Sequence, residues 1–238
     1  MRYKSLPFAV LLVTLIVSVA VGQSTSTDPQ ESIKRGNAKY SEAEYLAAIA
    51  EYGRVQPQAG ERYSQALYNI GVCYYELWRT EDAIVMYQKA VTARAGNYPI
   101  ALYALGVALE DLKRQEEAKQ AFRLALAAFQ DRDKAAAHFR LGLLLAGEGD
   151  YDQAATHFTQ AITRNSSPAS HNNLGVVLAL KGHLQEAKKE FEVALKQADG
   201  AFADATNNLR LCRSLLAESA KDALTSLRLV ATARTPGK

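Results

Sequence analysis

The chain has 238 residues, of which 48% are hydrophobic and 22% charged, with 14 Gly, 6 Pro and 2 Cys. Its apolar positions recur at helical rather than alternating spacing, which excludes a fold built from strands. The 28 Lys and Arg nearly balance 25 Asp and Glu, and no basic face is clustered as nucleic-acid binding would require.

Taken in order, residues 1–22 stand apart. Arg2 and Lys4 precede an apolar run from Phe8 to Val21, and Ala20, Val21 and Gly22 are small residues at its end. That is the layout of a secretory signal. The run falls short of the roughly 20 residues that cross a bilayer as a helix, so cleavage after Ala20 or Gly22 is expected. The alternative is retention, with residues 6–22 as an inner-membrane anchor. Removal of this segment leaves 26 basic against 25 acidic residues. Residues 23–30 are polar and without periodicity, a flexible spacer.

Five helix pairs are expected next: Glu31 to Gln56, Glu61 to Ala93, Pro99 to Phe129, Asp133 to Arg164 and Pro168 to Gln197. Ser41 with Glu44 suggests a capping box that opens the second helix. Thr80, Gly149 with Asp150, and Gly182 mark later turns, and Pro99 and Pro168 suit a first helical turn. A sixth unit runs to about residue 231 with Arg210 in the glycine register and Ser226 in the aromatic one, so it reads as a capping helix or pair. Residues 232–238 are a frayed tail.

The pairs share a frame. Gly36, Gly71, Gly106, Gly142 and Gly175 stand 35, 35, 36 and 33 residues apart. Twelve residues after each glycine is an alanine (Ala48, Ala83, Ala118, Ala154, Ala187), and sixteen after it an aromatic (Tyr52, Tyr87, Phe122, Phe158, Phe191). Nineteen after it come Val55, Ala90, Ala125, Ala161 and Ala194. Side chains at these spacings lie on one face of a helix. Small residues mark close approaches between helices and the aromatic fills the gap between them. A period of this length signals a repeat array.

On these residues the chain resembles the tetratricopeptide repeat family over roughly residues 29 to 200. The resemblance implies an all-α fold: a right-handed α-solenoid of about five helix-turn-helix repeats plus a C-terminal capping helix or pair, one elongated domain over 31–231.

Chemistry is sparse. Cys73 and Cys212 share a register four repeats apart, too distant for a disulfide between stacked units, and read as buried thiols. His138 and His171 share another register and read as packing residues with no acidic partner. His157 and His183 read as surface or turn residues. Asn165-Ser166-Ser167 matches a glycosylation acceptor, but the match is short and Pro168 follows. No nucleophile motif, phosphate loop or carboxylate pair appears. The expectation is a protein that is not an enzyme and uses no cofactor or metal.

The resemblance also implies a concave groove, lined by first helices, that takes a peptide or a partner's helix. Its registers give the candidate partner-binding residues Asn37, Tyr40, Tyr68, Asn69, Tyr75, Tyr103, Val107, Phe139 and Asn173, with Glu76, Glu110 and Asp111 on one rim. Tyr68, Tyr75 and Tyr103 stand out because tyrosine is favoured in binding hot spots. The clamp by which co-chaperone members hold a terminal carboxylate is half missing: Asn37 and Asn69 match it, whereas Ile33, Ile100 and Ala104 stand where cations belong. The functional expectation is an exported protein-protein interaction module or scaffold, periplasmic or extracellular. The alternative is a membrane-anchored subunit of an envelope assembly that binds through its outer face, and a remote one is a metal-dependent enzyme. A protein or peptide partner is expected and nucleic acid is not; membrane association depends on retention of the signal, and the sequence leaves the oligomeric state open.

Overall fold

A computed structural model describes residues 28–130 and 134–218, together with Leu227 and Leu229. The expected signal sequence, most of the spacer, Asp133, Ser226 and the 232–238 tail lie outside the described residues.

Those residues form eleven α-helices and one 3-10 turn, with no strand. The helices pair as α1 (Pro29–Ser41) with α2 (Tyr45–Tyr52), α3 (Glu61–Glu76) with α4 (Thr80–Ala93), and α5 (Pro99–Asp111) with α6 (Gln115–Ala128). They continue as α7 (Ala135–Gly147) with α8 (Tyr151–Arg164) and α9 (Pro168–Leu180) with α10 (Leu184–Gln197), before α11 (Ala203–Glu218). Each helix packs mainly on the one before and the one after it. The result is an α-solenoid, in which the core is a string of clusters between neighbouring helices rather than one centre.

The glycine frame is a steric requirement. A Cβ placed on Gly36, Gly71, Gly106, Gly142 or Gly175 would lie 2.3, 2.6, 2.6, 2.8 and 2.6 Å from the ring of Tyr52, Tyr87, Phe122, Phe158 and Phe191 respectively. Real Cβ atoms do not approach that closely, so the first helix of each pair must be bare where the second helix lays its aromatic. These rings are at most 3% exposed and the alanines four residues before them are fully buried. The ring then cannot retreat, because the alanine face holds its helix close to the neighbours.

First helices end in a common way. The residue seven after each frame glycine is left-handed: Ala43, Trp78, Lys113, Gly149 and Gly182 have φ of 58°, 60°, 62°, 84° and 85°. Its N–H bonds three residues back, as Ala43 does to Tyr40, Trp78 to Tyr75 and Lys113 to Glu110, while the next residue bonds five back, as Glu44 does to Lys39 and Arg114 to Leu109. This is a Schellman closure. Only units four and five use the residue that adopts it freely. The tight turn sets second helices antiparallel to first ones and presents the ring to the glycine.

Several local expectations are corrected. The capping box between Ser41 and Glu44 does not form: α1 continues through Ser41, whose hydroxyl donates to the Ala38 carbonyl at 2.7 Å. Glu44 instead pairs with Lys39 at 2.9 Å, because the Schellman closure already satisfies the local backbone. α1 starts at Pro29, inside the expected spacer, since Asp28 caps it by accepting from the Gln30 N–H at 3.0 Å. α2 stops at Tyr52 rather than near Gln56, with Gly53 following it and Pro57 opening the short 3-10 turn. Asp150 and Ser167 do cap α8 and α9 with their side chains, which gives Ser167 a structural reason to be in its loop. Cys73 and Cys212 are free and buried, in separate clusters.

Two glycines on first helices make a matched test. Gly106→Ala drives a methyl into the enclosed Phe122 ring and is expected to lower stability by about 1 to 3 kcal/mol. Gly147→Ala, on the last helical residue of α7 with nothing within 4 Å of the new methyl, is expected to raise stability by about 0.5 to 1 kcal/mol through helix propensity. Thermal denaturation of both variants measures the difference.

Candidate functional site

First helices place a row of side chains beside the frame glycines, on the same helix face. Three residues before the glycines stand Ile33, Tyr68, Tyr103, Phe139 and Asn172. Ile33, Phe139 and Asn172 are buried, whereas Tyr68 and Tyr103 are half-buried. Tyr68 lies against the frame ring Tyr87 and against Tyr98, both at 5.8 Å between centroids. Tyr103 lies 5.6 Å from Phe122. Each ring therefore rests one face on the frame and keeps an edge for the groove, which suits an amphipathic side chain. Phe139, at 6% exposure, meets Phe158 edge-on at 5.8 Å.

Four residues after the glycines, Tyr40, Tyr75 and Glu110 are half-buried. Tyr40 packs 5.5 Å from Tyr45. The Tyr75 hydroxyl hydrogen-bonds the Asp111 carboxylate of the next repeat, and Glu110 meets Arg140 of the repeat beyond at 3.4 Å. Burial raises the Glu110 carboxyl above its ordinary value, while the Arg140 charge opposes that rise. The middle of the groove is thus a tyrosine floor tied repeat to repeat by acid contacts. Glu110 and Arg140 are 30 residues apart, a distance close to one repeat period, and no sequence motif marks their contact.

The groove asparagines differ in exposure along the chain. Asn37 is exposed and accepts from the Tyr52 hydroxyl at 2.8 Å and from Asn69 at 3.4 Å. Asn69 is half-buried, as is Val107. Asn173 is wholly buried and accepts from Asn172 at 3.2 Å. Asn208 donates to Asn172 at 2.9 Å across α9 and α11.

The histidine readings are corrected. His157 has a partner: its Nδ1 lies 2.9 Å from Nδ1 of His138. His171 has an acidic partner, Glu190, at 2.6 Å, and its other nitrogen lies 2.8 Å from the Ser166 hydroxyl. His183 contacts Glu186 at 3.1 Å. The His138–His157 and His171–Glu190 pairs, both part-buried, join the residue four before a frame glycine to the residue fifteen after it, so the helix-pair register creates them. Among the described residues no group of three His, Cys, Asp or Glu is placed to hold a metal ion. No described helix is long and apolar enough to cross a membrane.

Tetratricopeptide repeat models match residues 65–94, 100–131 and 139–202, together more than half of the chain. The chain belongs to the tetratricopeptide repeat family. A search of curated proteins gave no match. Among solved structures, the repeat protein resembles YrrB, described as a TPR protein with an unusual peptide-binding site, at 25% identity, TM-score 0.60 and coverage of 73% of this chain and 88% of that one. It shares its fold with MamA at 24% identity and TM-score 0.62, covering 72% of this chain and 92% of that one. A third likeness in fold is to pilF of Pseudomonas aeruginosa, at 18% identity and TM-score 0.64, covering 84% and 88%. A tetratricopeptide solenoid is the architecture of a protein-protein interaction module.

The His138–His157 pair makes stability depend on pH. One ring must donate and the other accept, so at least one is neutral. Burial first, and then the Arg123 charge, hold His157 below the ordinary histidine value. Below about pH 6.5 the unfolded chain therefore binds a proton that the folded chain resists, and this contribution to stability is lost as pH falls. Melting temperatures measured at pH 7.5 and pH 5.5 are expected to fall less in His157→Gln than in the parent.

Proposed function

We propose that the repeat protein is an exported interaction module that takes a peptide or an extended partner segment in its concave groove. The observation that carries the proposal is the contrast between two sets of tyrosines. Tyr52 and Tyr87 are sealed in the frame at 2% and 3% exposure, whereas Tyr68, Tyr75 and Tyr103 are half-open in successive repeats. Frame packing accounts for the first set and leaves the open edges of the second to a ligand. The likeness to a repeat protein with a peptide-binding site supports the same reading, and the charged and apolar character of residues 1–22 supports export.

A second reading rests on the outer face. Leu46, Val85, Leu124 and Val193, all on second helices, are 65%, 44%, 50% and 37% exposed. An envelope assembly anchored through residues 6–22 could use them.

The test separates the two. The partner that the full chain captures from envelope extract is identified by mass spectrometry, and its affinity is measured for the parent and for Tyr68→Ala, Tyr75→Ala, Tyr103→Ala together. The groove reading expects a loss of roughly thirty-fold or more, since a central hot spot is worth about 2 kcal/mol, with helical dichroism retained. Unchanged affinity in the triple variant, with loss on Leu46→Asp and Leu124→Asp, would move the site to the outer face.

A further inference from the structure

Ser166 lies in the loop between α8 and α9 and is exposed. Its hydroxyl is 2.8 Å from Nε2 of His171, which sits in the first turn of α9 at 9% exposure. Nδ1 of the same ring is 2.6 Å from a carboxylate oxygen of Glu190 on α10. Gln197, the last residue of α10, places its side-chain Nε2 2.7 Å from the Ser166 hydroxyl. The preceding repeat has a second imidazole, His157, where this one has the carboxylate.

Donor and acceptor roles fix the direction of this chain of hydrogen bonds. An ionised carboxylate only accepts, so Nδ1 of His171 carries the proton and, in the neutral ring, Nε2 accepts. The Ser166 hydroxyl then donates to Nε2. The other end requires the same. An amide nitrogen only donates, so Ser166 Oγ accepts from Gln197 and has its one hydrogen left for the ring. Nucleophile, base and orienting acid thus stand in the order that activates a hydroxyl: a base within hydrogen-bond reach takes the proton, and a third group holds the base. Such a centre is recognised by geometry and roles rather than by sequence position. Burial is graded to match, with the base enclosed, Glu190 half-buried and, of the three, only the serine open to a substrate.

We propose that Ser166, His171 and Glu190 form a nucleophilic centre that takes an acyl group from an ester and passes it to water. Ser166 Oγ attacks the carbonyl carbon while its proton moves to His171 Nε2. The bond to the leaving alcohol breaks, and that alcohol takes the proton from Nε2. Water then attacks the acyl-serine and gives a proton to Nε2, the bond to Oγ breaks, and Oγ takes the proton back, so a carboxylic acid is released. Glu190 is a positioning residue that holds the tautomer of His171. The Gln197 amide, already within 2.7 Å of Oγ, is near enough to donate to the carbonyl oxygen as it becomes negative. Because Ser166 stands in an exposed loop, the class of substrate is an ester of a short acyl group, which needs no enclosed pocket. None of the groove residues takes part, so this centre is independent of the groove reading.

The experiment treats the full chain with p-nitrophenyl acetate and, separately, with an alkyl fluorophosphonate, whose phosphorus bonds to an activated serine with release of fluoride. Mass spectrometry is expected to find the phosphonate on Ser166 and not on the neighbouring Ser167. Release of p-nitrophenol is expected to show a burst, and to slow about 100-fold or more in Ser166→Ala and in His171→Gln. Ser166→Ala alters an exposed side chain, and an unchanged melting temperature separates lost chemistry from lost fold. Glu190→Gln is expected to slow release as well, and Glu190→Asp, which keeps the charge, to recover part of the rate. Hydrolysis that is unchanged in Ser166→Ala, labelling spread evenly over exposed serines, or equal rates in Glu190→Gln and the parent would each overturn the proposal.

Discussion

The contact between a bare glycine and an aromatic ring is the constraint on which the other features depend. It recurs in five units at the same offset, with less than 3 Å between the ring and the position a Cβ would occupy. A ring held there fixes the distance between the paired helices, and the small residues on either side of it let neighbouring helices close on the same ring. Burial of a full aromatic side chain is worth several kcal/mol when lost, so repetition of this contact supplies much of what a chain without a central core needs. The residues three before and four after each glycine share its helix face, so the side chains there pack on the edge of the same ring, as Tyr68 does on Tyr87 and Tyr103 on Phe122.

Much of this was legible in the sequence because it is periodic. Gly106, Ala118, Phe122 and Ala125 declare a helix pair through their spacing alone, and four further units repeat the statement. What was not legible depends on geometry that residue type does not advertise. Ala43, Trp78 and Lys113 occupy the left-handed position that glycine fills in units four and five, and nothing in a β-carbon-bearing residue announces that it will adopt it. The expected capping box at Ser41 failed for the same reason, since the Schellman closure had already used the local backbone. His157 lacked a visible partner because the offset that joins it to His138 emerges only once the pair register is known; the parallel contact between His171 and Glu190 could have been found by applying that offset to both units.

The groove residues divide along the same line. Their identity followed from register, and their accessibility did not. Tyr68 and Tyr103 are half-buried, whereas Phe139 and Asn172 occupy the same register and are buried.

The central claim is that frame and groove are separate uses of one set of helices. Ring-specific isotope labelling of tyrosine tests it most directly, because the two uses fall on different tyrosines. On titration with the captured partner, the ring signals of Tyr68, Tyr75 and Tyr103 are predicted to shift while those of Tyr52 and Tyr87 stay in place. Shifts at Tyr52 and Tyr87 equal to those of the groove rings, or silence at all five, would contradict the account.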